Sequence, residues 1–278
     1  MAKHVIHYQN NPFYIGLNGL QLLFKKAQQV AIYAAVLVGL GVLGGTTANI
    51  IDSVNKVNDP ESYNVSTDTK TIDIKPSNVD VAVVLIIASV VLGISVVIML
   101  VSLYLYGVLE YTGAHLALGE NVELKDALLA SLKNLPGYFW VYVIMIVKVF
   151  LWTLLLIVPG IIMSVRYSLA GTVFFAEHKR GNTAVKRSAE LTKGAWFTTF
   201  AGTGLWNLIT FGQISWLVTP SANAILYRQL KATTDSGAKK PSAHWLSWLT
   251  FFGPIVLLLI FIAFVILFVT ALWVAFKG

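Results

Sequence analysis

The chain has 278 residues, 56% of them hydrophobic and only 12% charged, with a net charge of +7 and no cysteine. A soluble domain carries about 25% charged residues, so composition argues against a soluble enzyme, a disordered chain or a nucleic-acid-binding domain. Lack of cysteine removes disulfides, thiolate metal sites and cysteine nucleophiles together. The basic residues cluster beside apolar runs, as in cytoplasmic membrane loops, which also explains the positive charge without nucleic acid.

The expected fold is all-α: a single polytopic membrane domain over 1–278, with short interfacial amphipathic helices. Its first element is an inner interfacial segment, 1–26, where Phe13, Leu17, Leu20 and Phe24 recur at helical spacing over 12–24. A membrane-crossing helix needs about 20 mostly apolar residues. Seven segments qualify: 27–50, 81–107, 136–158, 159–176, 194–210, 211–230 and 249–274. A six-span alternative fuses the polar-speckled fifth and sixth, which hold Asn207, Gln213 and Asn223. No cleavable leader is expected, because the first apolar run follows Lys25 and Lys26 and is too long for one. With seven spans, 14 basic residues fall on one side and 4 on the other. That split puts the N-terminus inside and the C-terminus outside. Loop 51–80, with six acids, is then the one sizeable outer loop. A second amphipathic helix is expected over 121–135, capped by Asn121 and lying on the inner surface.

Gly39, Gly41 and Gly44 spell G-x-G-x-x-G, but inside an apolar span with no preceding strand, so a dinucleotide site is rejected. Gly39, Gly41, Gly44 and Gly45 instead leave a helix face that packs closely against another helix, in the same chain or in another subunit. The histidines are scattered, no hydrolase motif occurs, and the predicted spans hold no Asp or Glu. Two basic residues do fall within spans. Lys148 lies about 18 Å into the third, near the midplane, and Arg166 about 10 Å in from the outer end of the fourth. Lys148 is expected to meet carbonyls near Leu155, or Asn207 or Gln213. Pro159 and Gly160 favour a helix break and a tight hairpin at the outer face.

The central pattern runs from 159 to 200. It reads P-G-I-I-x-x-V-R-Y-x-L-A, then Glu177, then G-x-x-A-x-x-R-S-x-x-L-T-x-G-x-W-x-x-x-F from Gly181. With the segment Gly119–Ala127 before it, this pattern resembles the YciC-like family of bacterial integral membrane proteins. A related module is the membrane domain attached to some glycerophosphodiester phosphodiesterases. The resemblance covers 105–230 and implies a six-helix membrane core with no assigned activity. The acidic outer loop and the additional C-terminal span at 249–276 depart from it. No phosphodiesterase domain is read here, so that activity is not carried over.

These features lead to an expectation of a non-enzymatic protein of the bacterial inner (cytoplasmic) membrane. Its role would be a scaffold or accessory one, organising membrane lipid or protein partners, itself included, without cofactor, metal or nucleic acid. Lys179, Arg180, Lys186, Arg187 and Lys193 form a basic inner surface for anionic lipid. The rival class is a transporter or channel for a small or anionic solute, using Lys148, Arg166 and the broken helices around Pro159.

Overall fold

The computed structural model describes residues 8–37, 81–210, 212–240 and 242–277, and among these every regular element is an α-helix. Gly39, Gly41, Gly44, Gly45 and loop 51–80 lie outside the described residues. The chain divides into two compact units, Gly39–Leu105 and Met1–Val38 with Tyr106–Gly278. The described part of the first unit is the start of one long helix, mostly apolar and exposed at Leu85, Ile86 and from Ala88 to Val101.

The second unit is built from short and long helices. Asn11 caps α1 (Pro12–Lys26), its side chain accepting from Phe13 N–H at 3.0 Å. The buried face is not the predicted stripe: Phe13 and Phe24 are exposed, and Ile15, Gly16, Gly19 and Leu23 turn inward. The small residues win because the neighbours come so close. A Cβ on Gly19 would sit 2.4 Å from the Ser221 carbonyl oxygen, so only glycine admits that backbone. After α2 (Gln28–Leu37) comes α3 (Val81–Leu118), which ends at Gly119.

α4 (Leu124–Leu155) absorbs the segment expected as a separate interfacial helix. Its N-cap is Glu123, not Asn121, and it runs straight through Pro136. One lost backbone hydrogen bond is tolerated there, and neighbouring Gly137 gives Phe174 room. The break before α5 (Ile157–Tyr167) falls at Leu156, whose backbone is extended, three residues ahead of the predicted Pro159. Pro159 lies in the first turn of α5, where its missing N–H has no intrahelical partner to lose. Gly160 serves the hairpin differently: a Cβ on it would meet Thr153 Oγ1 at 2.1 Å.

α6 (Ala170–Glu177), α7 (Asn182–Thr192), α8 (Trp196–Ile209), α9 (Ser215–Asp235) and α10 (Trp245–Lys277) complete the chain. Among the described residues, four helical stretches are long and apolar enough to cross a membrane: Ala88–Leu118, Leu124–Leu155, Ile157–Glu177 and Trp245–Thr270. Helices of this length and composition mark a membrane-embedded protein. This count does not confirm the seven expected, and most of the first of them, 27–50, lies outside the described residues. α8, at 14 residues, spans about 21 Å, short of the ~30 Å hydrocarbon core. α9 is long enough but too polar, and it buries Asn223 and Gln229 against its neighbours.

Candidate functional site

The 159–200 pattern becomes a latch around α7. The chain kinks between α5 and α6, which strips the Arg166 carbonyl and the Leu169 N–H of helical partners. Ser188 serves both: its Oγ donates to Arg166 O at 2.8 Å and accepts from Leu169 N–H at 3.1 Å. Thr192 Oγ1 lies 3.2 Å from Arg166 O and 2.9 Å from Ser188 O and shares its one proton between them. Ala184 and Leu191 are fully buried. Gly181 and Gly194 bracket the helix with φ of 51° and 79°, a region that favours glycine. Trp196 Nε1 donates to Ile162 O at 3.1 Å. Lys240 donates to the carbonyls of Leu191 and Lys193 (2.7 Å for the latter), placing a cation at the carbonyl end of α7. Burial, with Arg187 nearby, holds the Lys240 pKa below its ordinary value.

Arg187 is the electrostatic centre of this latch. Its guanidinium donates to Glu177 at 3.3 Å, Asp235 at 2.6 Å and Glu190 at 3.4 Å, with the side chain 15% exposed. Burial opposes the charge, but the Asp235 hydrogen bond and the Glu177 charge win and raise the arginine pKa. Tyr227 donates to Glu177 at 3.1 Å, and burial together with that carboxylate raises the phenol pKa. Of the five residues read as an anionic-lipid surface, Arg187 is therefore spent within the fold. Lys179 also pairs with Glu177, at 3.2 Å. Arg180, Lys186 and Lys193 stay exposed and pair with no carboxylate among the described residues.

Lys148 finds a partner that sequence reasoning did not name. It is half-buried, donates to Asn182 Oδ1 at 2.6 Å and lies 5.8 Å from the Tyr167 ring centroid. The Leu155 carbonyl, Asn207 and Gln213 are not involved. Asn182 opens α7, and the α5–α6 return brings that end beside α4. Asn207 is instead taken by Ser215 Oγ at 2.6 Å. Arg166 is half-buried and lines an apolar cavity of about 460 Å³ with Lys193. The structure does not bring Lys148 and Arg166 into one site.

The residue that sequence reasoning missed is Glu110. It lies within the Ala88–Leu118 helical stretch, three residues beyond the predicted span end at 107, and is 1% exposed. Thr172 Oγ1 donates to it at 2.8 Å, Asn223 Nδ2 at 3.3 Å, and the Tyr106 hydroxyl as well. Gly171 lets the carboxyl approach, since a Cβ there would lie 3.2 Å from Glu110 Oε2. Asn223 Oδ1 is buried without a partner among the described residues. The signal was present: after the predicted end at 107, no strong helix stop occurs before Gly119. Among the described residues, no group of three or more His, Asp or Glu is placed to hold a metal. No family model, curated protein or solved structure matches the chain.

Proposed function

We propose that this is a non-enzymatic integral membrane protein that organises lipid, with the α4–α5 hairpin entering one leaflet as a wedge. The observation that carries this reading is the hairpin's polarity and depth. Phe150, Leu151, Leu154 to Val158, Ile161 and Ile162 are all exposed and apolar. At the hairpin's base, α7 lies against α4 at Lys148 and against α5 at Arg166. The outer face of α7 carries exposed Asn182, Thr183, Lys186 and Glu190, which hydrocarbon does not accept. The water boundary therefore runs at that level. From Lys148 to the tip at Leu156 is about 12 Å, and from Arg166 about 15 Å, roughly half of the ~30 Å core. The turn suits lipid: Leu156 N–H donates to Trp152 O at 3.1 Å, and Leu156 O accepts from Gly160 N–H at 3.2 Å.

Sides follow by parity. With the 27–50 segment expected from the sequence as the first crossing, α3 and α10 make two more, and α8, α9 and the half-depth hairpin add none. The N-terminus stays inside, the C-terminus outside and the hairpin enters the inner leaflet, with the basic residues on that side. The YciC-like resemblance supports a bacterial cytoplasmic membrane as the setting. The exposed apolar surface of α10 from Ile255 to Val269 supports lipid or another membrane protein as neighbour.

Spin-labelled lipid in proteoliposomes tests the role. The protein should produce a motionally restricted lipid component, reduced by Leu155→Lys with Leu156→Lys. An unchanged component would remove the wedge. A transporter is the second reading, favoured by the buried Glu110 network, because carboxyl groups inside membrane helices often serve translocation. It requires a solute or proton flux in the same vesicles that Glu110→Gln abolishes.

A further inference from the structure

We infer that the cavity at the base of the hairpin is a binding site for one anionic phospholipid, its phosphate held by Arg166 and Lys193 and an acyl chain lying on the apolar wall. This rests on the wedge reading, which puts the site at the level of the headgroups. The wall comes from both sides of the latch: Ile161 and Ile162 from α5, Trp196 and Phe197 from α8, and Phe251 from α10. Its volume, about 460 Å³, is within the range of ligand-sized cavities.

The wall is held in place rather than loosely collapsed. Trp196 stacks on Phe200 with ring centroids 5.3 Å apart, meets Phe251 edge-on at 5.5 Å, and is pinned by its bond to Ile162 O. The two cations complete the chemistry. The carboxylates of the latch are taken by Arg187 and Lys179, and among the described residues none pairs with Arg166 or Lys193. Arg166 lines the cavity and its own carbonyl is locked by Ser188, so its backbone is fixed at the cavity's edge. Two unneutralised cations beside an apolar wall select a ligand that is anionic at one end and hydrocarbon at the other. A guanidinium is suited to two oxygens of one phosphate. A zwitterionic lipid brings its own cation to the same place and is held less well.

The test is native mass spectrometry of the full chain in detergent, titrated with phosphatidylglycerol and with phosphatidylcholine. One phosphatidylglycerol should be retained in preference. Arg166→Gln or Lys193→Gln should weaken retention about fivefold and the pair about 30-fold, taking each basic residue at its usual contribution near a membrane surface. Lys125→Gln with Lys133→Gln, both exposed and neither lining the cavity, should leave it unchanged. Lys193 is exposed, so its variant folds whatever becomes of Arg166. Equal retention by wild type and the double variant would overturn the site, as would full displacement by inorganic phosphate, which would make the ligand a free anion. If a probe at Leu156 emerges on the far side of the membrane while retention still depends on Arg166, the wedge falls and the lipid site stands.

Discussion

Ser188→Ala isolates the latch. The substitution removes one hydroxyl that answers two backbone groups, Arg166 O and Leu169 N–H. Thr192 Oγ1 can turn its one proton from Ser188 O, at 2.9 Å, to Arg166 O, at 3.2 Å, so the Leu169 amide is the group left bare. Leu169 is fully buried, so water does not replace the bond. An unsatisfied buried donor costs about 1–3 kcal/mol. In a chain of this size the middle of that range lowers Tm by roughly 4–8 °C. Adding Thr192→Val strands Arg166 O as well, and the loss should grow to about 2–6 kcal/mol. Ser164→Ala is the control, because that hydroxyl only back-bonds to Ile161 O on an exposed surface. Tryptophan-fluorescence melting in detergent reads all four proteins. If Ser188→Ala melts with wild type and Ser164→Ala, the kink does not depend on the latch and the account of the 159–200 pattern is wrong.

Gly19→Ala should detach α1, because its methyl would collide with backbone rather than a movable side chain. The expected loss is about 1–3 kcal/mol, with faster tryptic cutting after Lys25 or Lys26. Arg187→Gln should cost about 2 kcal/mol, since Glu177 keeps Lys179 at 3.2 Å and Lys231 at only 4.0 Å. Arg187→Lys should recover only part of that loss, because a point charge cannot reach Glu177, Glu190 and Asp235 together. Glu110→Leu should destabilise by about 2–4 kcal/mol by stranding the Thr172 hydroxyl and the Asn223 amide. Glu110→Gln should recover most of it on thermal melting, and an equal loss from both would show that the charge, not the hydrogen bonding, holds the core.

Long apolar runs were legible without coordinates, because crossing a membrane imposes a length and a composition on each helix by itself. Hence α3, α4, the α5–α6 return and α10 were all foreseen in outline. Depth was not legible. Lys148 was placed near a midplane by counting along one helix, which does not reveal that Asn182 of α7 packs beside it. α8 and α9 looked like spans because local hydropathy does not reveal that Asn223 and Gln229 turn into a protein core. The pattern at 181–200 was visible as a set of spaced residues. Its work was hidden because Ser188 and Thr192 answer a kink 20 or so residues earlier. Glu110 was missed by a helix end set too early at 107. The glycine stripe of α1 was missed because pattern reading looks for large side chains, whereas Gly19 matters for the side chain it lacks.

The depth of Leu156 tests the central claim most directly. A bimane fluorophore on Leu156→Cys, in vesicles whose lipids are brominated at known positions along the chain, reports distance from the bilayer centre. The wedge predicts strongest quenching by bromines near the chain ends, about 12–15 Å beyond the level of Lys148 and Arg166, and no labelling of the cysteine by an impermeant reagent from either side. Weak quenching, with labelling by that reagent from the outer face, would mean that the hairpin crosses the whole membrane and would contradict the account.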